Sequence, residues 1–501
     1  MRTLPAVLLA VGYLLAGCAA PGLRAPAVAP EDEACLRFFA QADAAVDAAG
    51  VRDALATRIA DFPHLRVNRL LASFRDELAD AATTRFWLAQ LARLDAQARA
   101  AELANLPPPA LRELAAAEGR EPASLAAGLA QCRARLVAAD AADAARQATL
   151  RGAAVVPDDY SLALRTLGLY PLTRIPFGAG VAAFERRVAD TFALPLDQLP
   201  VHGALARWAL PDTPARDALV PRLAAATANP LGIPEPDAAA LAALARAHAP
   251  VFEIDVVDDN DRIGRPRWPL HGPIGIDTGQ PQVYFRAAHT RAGDRVLLQL
   301  VYTAWFPARP ARGSLDLLAG HLDALVWRVT LAPDGAPLLF DSIHACGCYH
   351  FFFPTARVRP RPAPVSRDEW LFAPQRLPPP RPDERVVLRV AARTHYLERV
   401  RFEPRAAAAP ATAYALAPDD TLRSLPHPAG GRRSMFGPDG LVAGSARGER
   451  FLFWPMGLTS AGAMRQWGRH ATAFVGRRHF DAARLIDERF VVLEAPADRD
   501  D

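Results

Sequence analysis

The sequence predicts an α+β protein, an N-terminal helical bundle followed by a mainly antiparallel β-sandwich or open barrel. Three observations predict it. From Glu31 to about Gln147, apolar residues recur at helical spacing in a background of Ala, Leu, Arg and Glu, as at Phe86, Leu88, Leu91 and Leu94. After Ala249-Pro250 the texture changes to short alternating runs separated by turn signals such as Asp334-Gly335 and Asp439-Gly440. The 501 residues are 51% hydrophobic and 22% charged, enough to fill several cores and incompatible with bulk disorder.

The elements divide the chain as 1–17 signal peptide, 18–30 lipidated tether, 31–150 helical domain, 151–248 mixed and mostly helical connector, and 249–501 β-rich domain. In the helical domain, Pro63 and Pro107-Pro108-Pro109 mark helix interruptions. Phe62-Pro63-His64-Leu65 reads as a helix junction packed in the core. In the connector, Tyr170 to Gly178 reads as extended, a linker or edge strand, because of its Pro and Gly. A helix over 237–248 closes the connector. The predicted strands are Val251–Val256, Val283–Phe285, Val296–Tyr302, Leu325–Leu331, Val386–Val390 and Phe451–Trp454. The last helix falls over His479–Arg489, and an edge strand follows at Phe490–Leu493.

The N-terminus carries an address. Arg2 precedes an apolar run from Ala6 to Leu15, the layout of an export signal and too short for a stable membrane span. It ends in Leu15-Ala16-Gly17-Cys18, which resembles the lipobox of bacterial lipoproteins. That resemblance implies cleavage before Cys18 and acylation of Cys18. Ala19 in place of Asp implies the outer membrane, facing the periplasm or the cell surface. The membrane, reached through this N-terminal lipid, is the implied partner. Several acyl chains give lasting attachment where one is marginal. The Ala- and Pro-rich stretch that follows reads as a tether.

Composition excludes several chemistries. Every basic residue is arginine, 58 against 54 acidic, for a net charge of +4. Without lysine there is no Schiff base and no Walker-A phosphate loop. The charge balance argues against a nucleic-acid partner. Gly-x-Ser-x-Gly, His-Glu-x-x-His and Gly-x-Gly-x-x-Gly are absent, so no catalytic residue is assigned.

Of the five cysteines, four remain to be placed after Cys18. Cys35 and Cys132 stand near the two ends of the helical domain, a candidate disulfide in an exported protein. Around the other pair runs His344-Ala345-Cys346-Gly347-Cys348-Tyr349-His350, with four metal-type ligands at alternate positions. Alternate residues of a strand share a face about 6.6 Å apart, so adjacent ones can chelate one ion, zinc or copper by ligand type. His321 and Asp323 precede a strand and add candidate ligands. Two other readings stay open: a Cys346–Cys348 disulfide, and a redox-active pair whose thiols the flanking histidines acidify. A second cluster, Arg469, Arg477, Arg478 and His479, offers guanidinium forks for a phosphate or carboxylate. Its alternative is pairing with Asp481, Asp487 and Glu488.

The order Leu244–Val251, Val301-Tyr302-Thr303-Ala304-Trp305-Phe306-Pro307, Gly320-His321-x-Asp323 before Trp327, and a strand ending in His344 resembles the β-sandwich of necrosis-inducing Nep-like toxins and their vacuolar-sorting relatives. The resemblance covers about a quarter of the chain. It implies that His321, Asp323 and His344 are metal ligands. Arg328 stands where that family has Glu, and the family lacks the Cys-x-Cys.

These readings describe a lipid-anchored envelope protein with a His/Cys metal site in its β-domain. The alternatives are a metal-dependent envelope hydrolase using Asp323 or Asp341 as its acid, and a disulfide-stabilised scaffold without a site.

Overall fold

The computed structural model describes residues 29–211, 213–214, 223, 226–366, 368–407 and 409–493. The signal peptide, Cys18 and the tether to residue 28 lie outside the described residues. The fold mixes helices with several sheets, mostly antiparallel or mixed and none closed.

Helices dominate the first part. Pro30–Ala48 begins with a proline where no N–H is needed, and Glu31, Asp32 and Glu33 face its positive end. Ala81–Asn105 starts on an Asp80–Thr83 capping box. Leu125–Ala142 packs against both. A disulfide joins Cys35 to Cys132, with their Cα atoms 5.2 Å apart.

Four local expectations are corrected. Phe62–Val67 is a strand that pairs with Thr57–Ile59, because Asp61 turns the chain at φ 64° and Phe62, Leu65 and Val67 are buried against Trp87 and Leu88. Residues 170–178 begin a long helix, Tyr170–Ala193. Pro171 sits in its first turn, where proline is accepted; Pro176 is carried inside because Phe184, Val188 and Phe192 fasten the rest of the helix to the β-core. Phe451-Leu452-Phe453-Trp454 forms the helix Arg450–Phe453 and a 3-10 turn, since no strand runs beside it to pair with. At the C-terminal end only Leu485–Arg489 is helical; His479 instead bridges to Ala471.

Six strands make the larger sheet, in the order Phe351–Pro354, Pro337–His344, Gly320–Leu331, Arg295–Arg309, Gln282–Ala292, Ala415–Pro418. The first five are antiparallel neighbours and the sixth pairs parallel. The smaller sheet runs Leu397–Pro404, Glu384–Val390, Val251–Val256, Ala204–Ala209, Thr412–Ala413. Phe252, Ile254, Leu388 and Val390 of the smaller sheet share a core with Leu300, Tyr302 and Trp327 of the larger. The other face of the larger sheet, with Val301, Trp305 and Ile343, is covered by residues from the 422–480 region. Burial on both faces explains the nearly continuous apolar run of Gly320–Leu331.

One turn positions the site. Gly335, at φ 77°, closes the hairpin that pairs Leu325 with His344. Asp323 then lies just beyond the end of that ladder, beside the His344 side chain. Among the described residues, no helix is long and apolar enough to cross a membrane.

Candidate functional site

The six residues read as metal ligands occupy four places. Asp323 and His344 meet, with Nδ1 of His344 3.2 Å from Oδ1 of Asp323. His321 is turned away, because Leu322 at φ 61° breaks the strand alternation, and its Nε2 meets the carbonyl of Ile274 at 2.6 Å. His350 pairs with Asp341 at 2.9 Å, and Arg328 holds the same carboxylate. Cys346 and Cys348 are free, buried thiols, so the expected disulfide between them is not formed. Among the described residues, no group of three or more His, Cys, Asp or Glu is placed to hold a metal ion.

Around Asp323 a different cluster forms. Asp323 is fully buried and receives His344, His395 through Nδ1 at 3.0 Å, and Arg447 through Nη2 at 3.3 Å. Burial alone would raise its pKa, but His344, Arg447 and His395 hold it well below the carboxylate range. His395 stacks flat on Phe306, ring centroids 3.9 Å apart, and its Nε2 donates to the Asn260 carbonyl at 3.1 Å. Burial pushes His395 down; hydrogen bonds to Asp261 and Asp323 outweigh it and leave it raised. Leu322, Tyr349, Arg393 and His395 all have positive φ here, strain that the cluster must hold in place.

His344 packs on Tyr349 and Tyr396, which line a cavity of about 740 Å³. One wall is the helix Tyr170–Ala193, through Phe177, Val181 and Phe184. The turn 346–350 forms the floor, and Trp370, Phe372 and Phe453 complete the apolar lining. Phe184 packs against Tyr349 at 5.1 Å and Tyr396 at 5.6 Å. Charged groups, Arg309 and Glu449 among them, also line the cavity. Arg309 lies 5.0 Å over the Tyr396 ring and donates through Nη2 to its hydroxyl at 3.1 Å. Its buried Nη1 has no hydrogen-bond partner among the described residues. The cavity carboxyls move the other way: burial pushes Glu449 up to about 7 and Glu185 up to about 6. Near neutral pH Glu449 is about half protonated, which weakens the negative charge in the lining.

The second candidate cluster is satisfied internally. Arg469 pairs with Asp159 at 3.0 Å, Arg477 with Asp158 at 2.8 Å, and His479 with Asp159 at 3.3 Å. Arg478 donates to the carbonyls of Trp370 and Thr472. These contacts fasten residues 157–160 to the C-terminal region. The expected partners Asp481, Asp487 and Glu488 are not the ones used: they pair with Arg69, Arg484 and Arg489, and Asp158 and Asp159 take their place.

Sequence reasoning missed Arg309, His395, Arg447 and Glu449. Each comes from a separate segment, and no local motif marks any of them. No protein-family model matches the chain, and neither a curated protein nor a solved structure does.

Proposed function

We propose that this is a lipid-anchored protein of the bacterial envelope that binds an amphiphilic small molecule, apolar in its body and anionic at its head, in the cavity beneath the helix Tyr170–Ala193. Arg309 carries the reading. A buried guanidinium in the lining of an aromatic cavity, with one nitrogen unpartnered among the described residues, offers a charge-assisted hydrogen bond to a carboxylate or sulfonate. The volume lies within the range of about 300–1,000 Å³ of small-molecule sites, and apolar walls with a few convergent polar groups are their usual composition. The two facing sheets support reading residues 249–501 as a β-sandwich, with the cavity between it and the helix.

The test compares a long-chain fatty acid with the alcohol of the same length. Arg309→Met is expected to weaken the acid by roughly 10–100-fold, the value of a hydrogen bond to a charged group, and to leave the alcohol within a factor of about three. Equal loss for both ligands, in a variant whose thermal unfolding is unchanged, contradicts an anionic head at Arg309.

Leu15-Ala16-Gly17-Cys18 supports the anchor. Cys18→Ser is expected to abolish incorporation of labelled fatty acid and to remove the protein from the outer-membrane fraction. Continued labelling of the variant contradicts it.

A further inference from the structure

We propose that Cys346 and Cys348 are a dithiol that exchanges with small-molecule disulfides entering the cavity. Four observations carry this. Both cysteines are among the residues that line the cavity, and both are free. They stand on a tight turn: Gly347 donates to the His344 carbonyl at 2.8 Å, and His344 donates to the Cys348 carbonyl at 3.0 Å. Gly347 makes that turn at φ 95°, where a Cβ would lie 2.3 Å from the Ala471 carbonyl oxygen, so the backbone of this pair is fixed tightly. The other described cysteines, Cys35 and Cys132, are already joined in a separate core. Within the described chain, each thiol of the pair therefore has only the other to bond with.

Access sets the substrate class. Cys346 is 4% exposed and Cys348 9%. A protein disulfide cannot bring its sulfur to either atom, because the helix Tyr170–Ala193 and Phe453 wall the approach. A small disulfide, R–S–S–R, passes through the same opening as the ligand proposed above. The inference rests on that reading in this respect alone.

The chemistry balances without any other reagent. The Cys346 thiolate attacks one sulfur of R–S–S–R, forming Cys346–S–S–R and releasing RS⁻. Cys348 then loses its proton and attacks the Cys346 sulfur. The Cys346–Cys348 disulfide forms and the second RS⁻ leaves. Two electrons pass from the dithiol to the small disulfide, and the two thiol protons end on the two released RS⁻ groups. Cys346 is assigned the first step because the hydrogen bond from Cys348 and the charge of Arg447 stabilise its thiolate, whereas that hydrogen bond and burial push Cys348 up. Glu449 is within electrostatic reach of both sulfurs and is pushed up by burial to about 7, suited to receive the Cys348 proton in passing.

The test incubates the purified full chain with 2-hydroxyethyl disulfide and, separately, with insulin as a protein disulfide. Intact mass and peptide mapping follow each. The expected result is loss of two hydrogens located to Cys346 and Cys348, reversed by a small thiol, and no cleavage of insulin. Cys348→Ser is expected to stop at one hydroxyethylthio adduct on Cys346, and Cys346→Ser to react at least ten-fold more slowly. Thiols that never react, or a Cys346–Cys348 bond that a small thiol does not reduce, overturn the inference. Rapid insulin cleavage overturns the substrate class. Binding of an anionic aromatic probe is measured on the same samples. Probe binding without thiol exchange overturns this inference alone, and thiol exchange without probe binding overturns the ligand reading alone.

Discussion

Asp323→Ala is expected to destabilise the β-domain by roughly 3–5 kcal/mol, the cost of removing one partner from buried charged groups. Asp323 is 0% exposed, accepts from His344 and His395, and forms an ion pair with Arg447. Its loss leaves the Arg447 guanidinium, which cannot lose its charge, without that carboxylate. It also leaves His395 with Nδ1 unsatisfied, in a backbone conformation at φ 51° that the hydrogen bond helps to hold. Asp323→Asn keeps two polar atoms and no charge, and is expected to recover only part of the loss. Chemical unfolding checks this. A change below about 1 kcal/mol for the alanine variant shows that the cluster is not a support of the fold.

The second large effect lies in the helical region. Cys132→Ser opens a disulfide spanning a sequence separation of 97. Chain-entropy reasoning puts the loss at about 4.7 kcal/mol for a loop of this length, and native disulfides removed from small secreted domains commonly cost about 2–5. The effect is expected to be local, because Cys35 belongs to a small core with Phe38, Phe39, Leu125 and Leu129, apart from both sheets. Hydrogen exchange should therefore rise in Pro30–Ala48 and Leu125–Ala142 while Gly320–Leu331 stays protected. A uniform rise across the chain contradicts this separation.

What the sequence made legible follows the range of the interactions. Val296–Tyr302 and Leu325–Leu331 were readable as strands because apolar, β-branched residues mark them locally. The Asp334-Gly335 turn was readable for the same reason, and the hairpin it closes brings Asp323 beside His344. His321 went astray through one residue: positive φ at Leu322 reverses the face of its neighbour, and leucine gives no warning of it. The helix Tyr170–Ala193 was hidden by Pro171 and Pro176, whose meaning depends on where a helix begins and on what holds the rest of it. The anion cluster misled because Asp158 and Asp159, the carboxylates that satisfy it, lie more than 300 residues upstream. The cavity had no sequence signature. Its walls are drawn from segments as distant as Phe177 and Phe474, and only the packed chain brings them together.

The central claim is that this cavity takes up an amphiphile with an anionic head. Titration of the purified protein with 1-anilinonaphthalene-8-sulfonate, an aromatic body bearing one sulfonate, tests it most directly when paired with Val181→Trp. Val181 is half-buried on the cavity wall, so the added indole fills the space while the helix backbone is untouched. The account predicts one bound probe per chain, displaced by a long-chain fatty acid, with affinity falling at least ten-fold in Val181→Trp at unchanged unfolding temperature. Binding that the indole leaves unaffected, or no saturable binding to the parent protein, contradicts it.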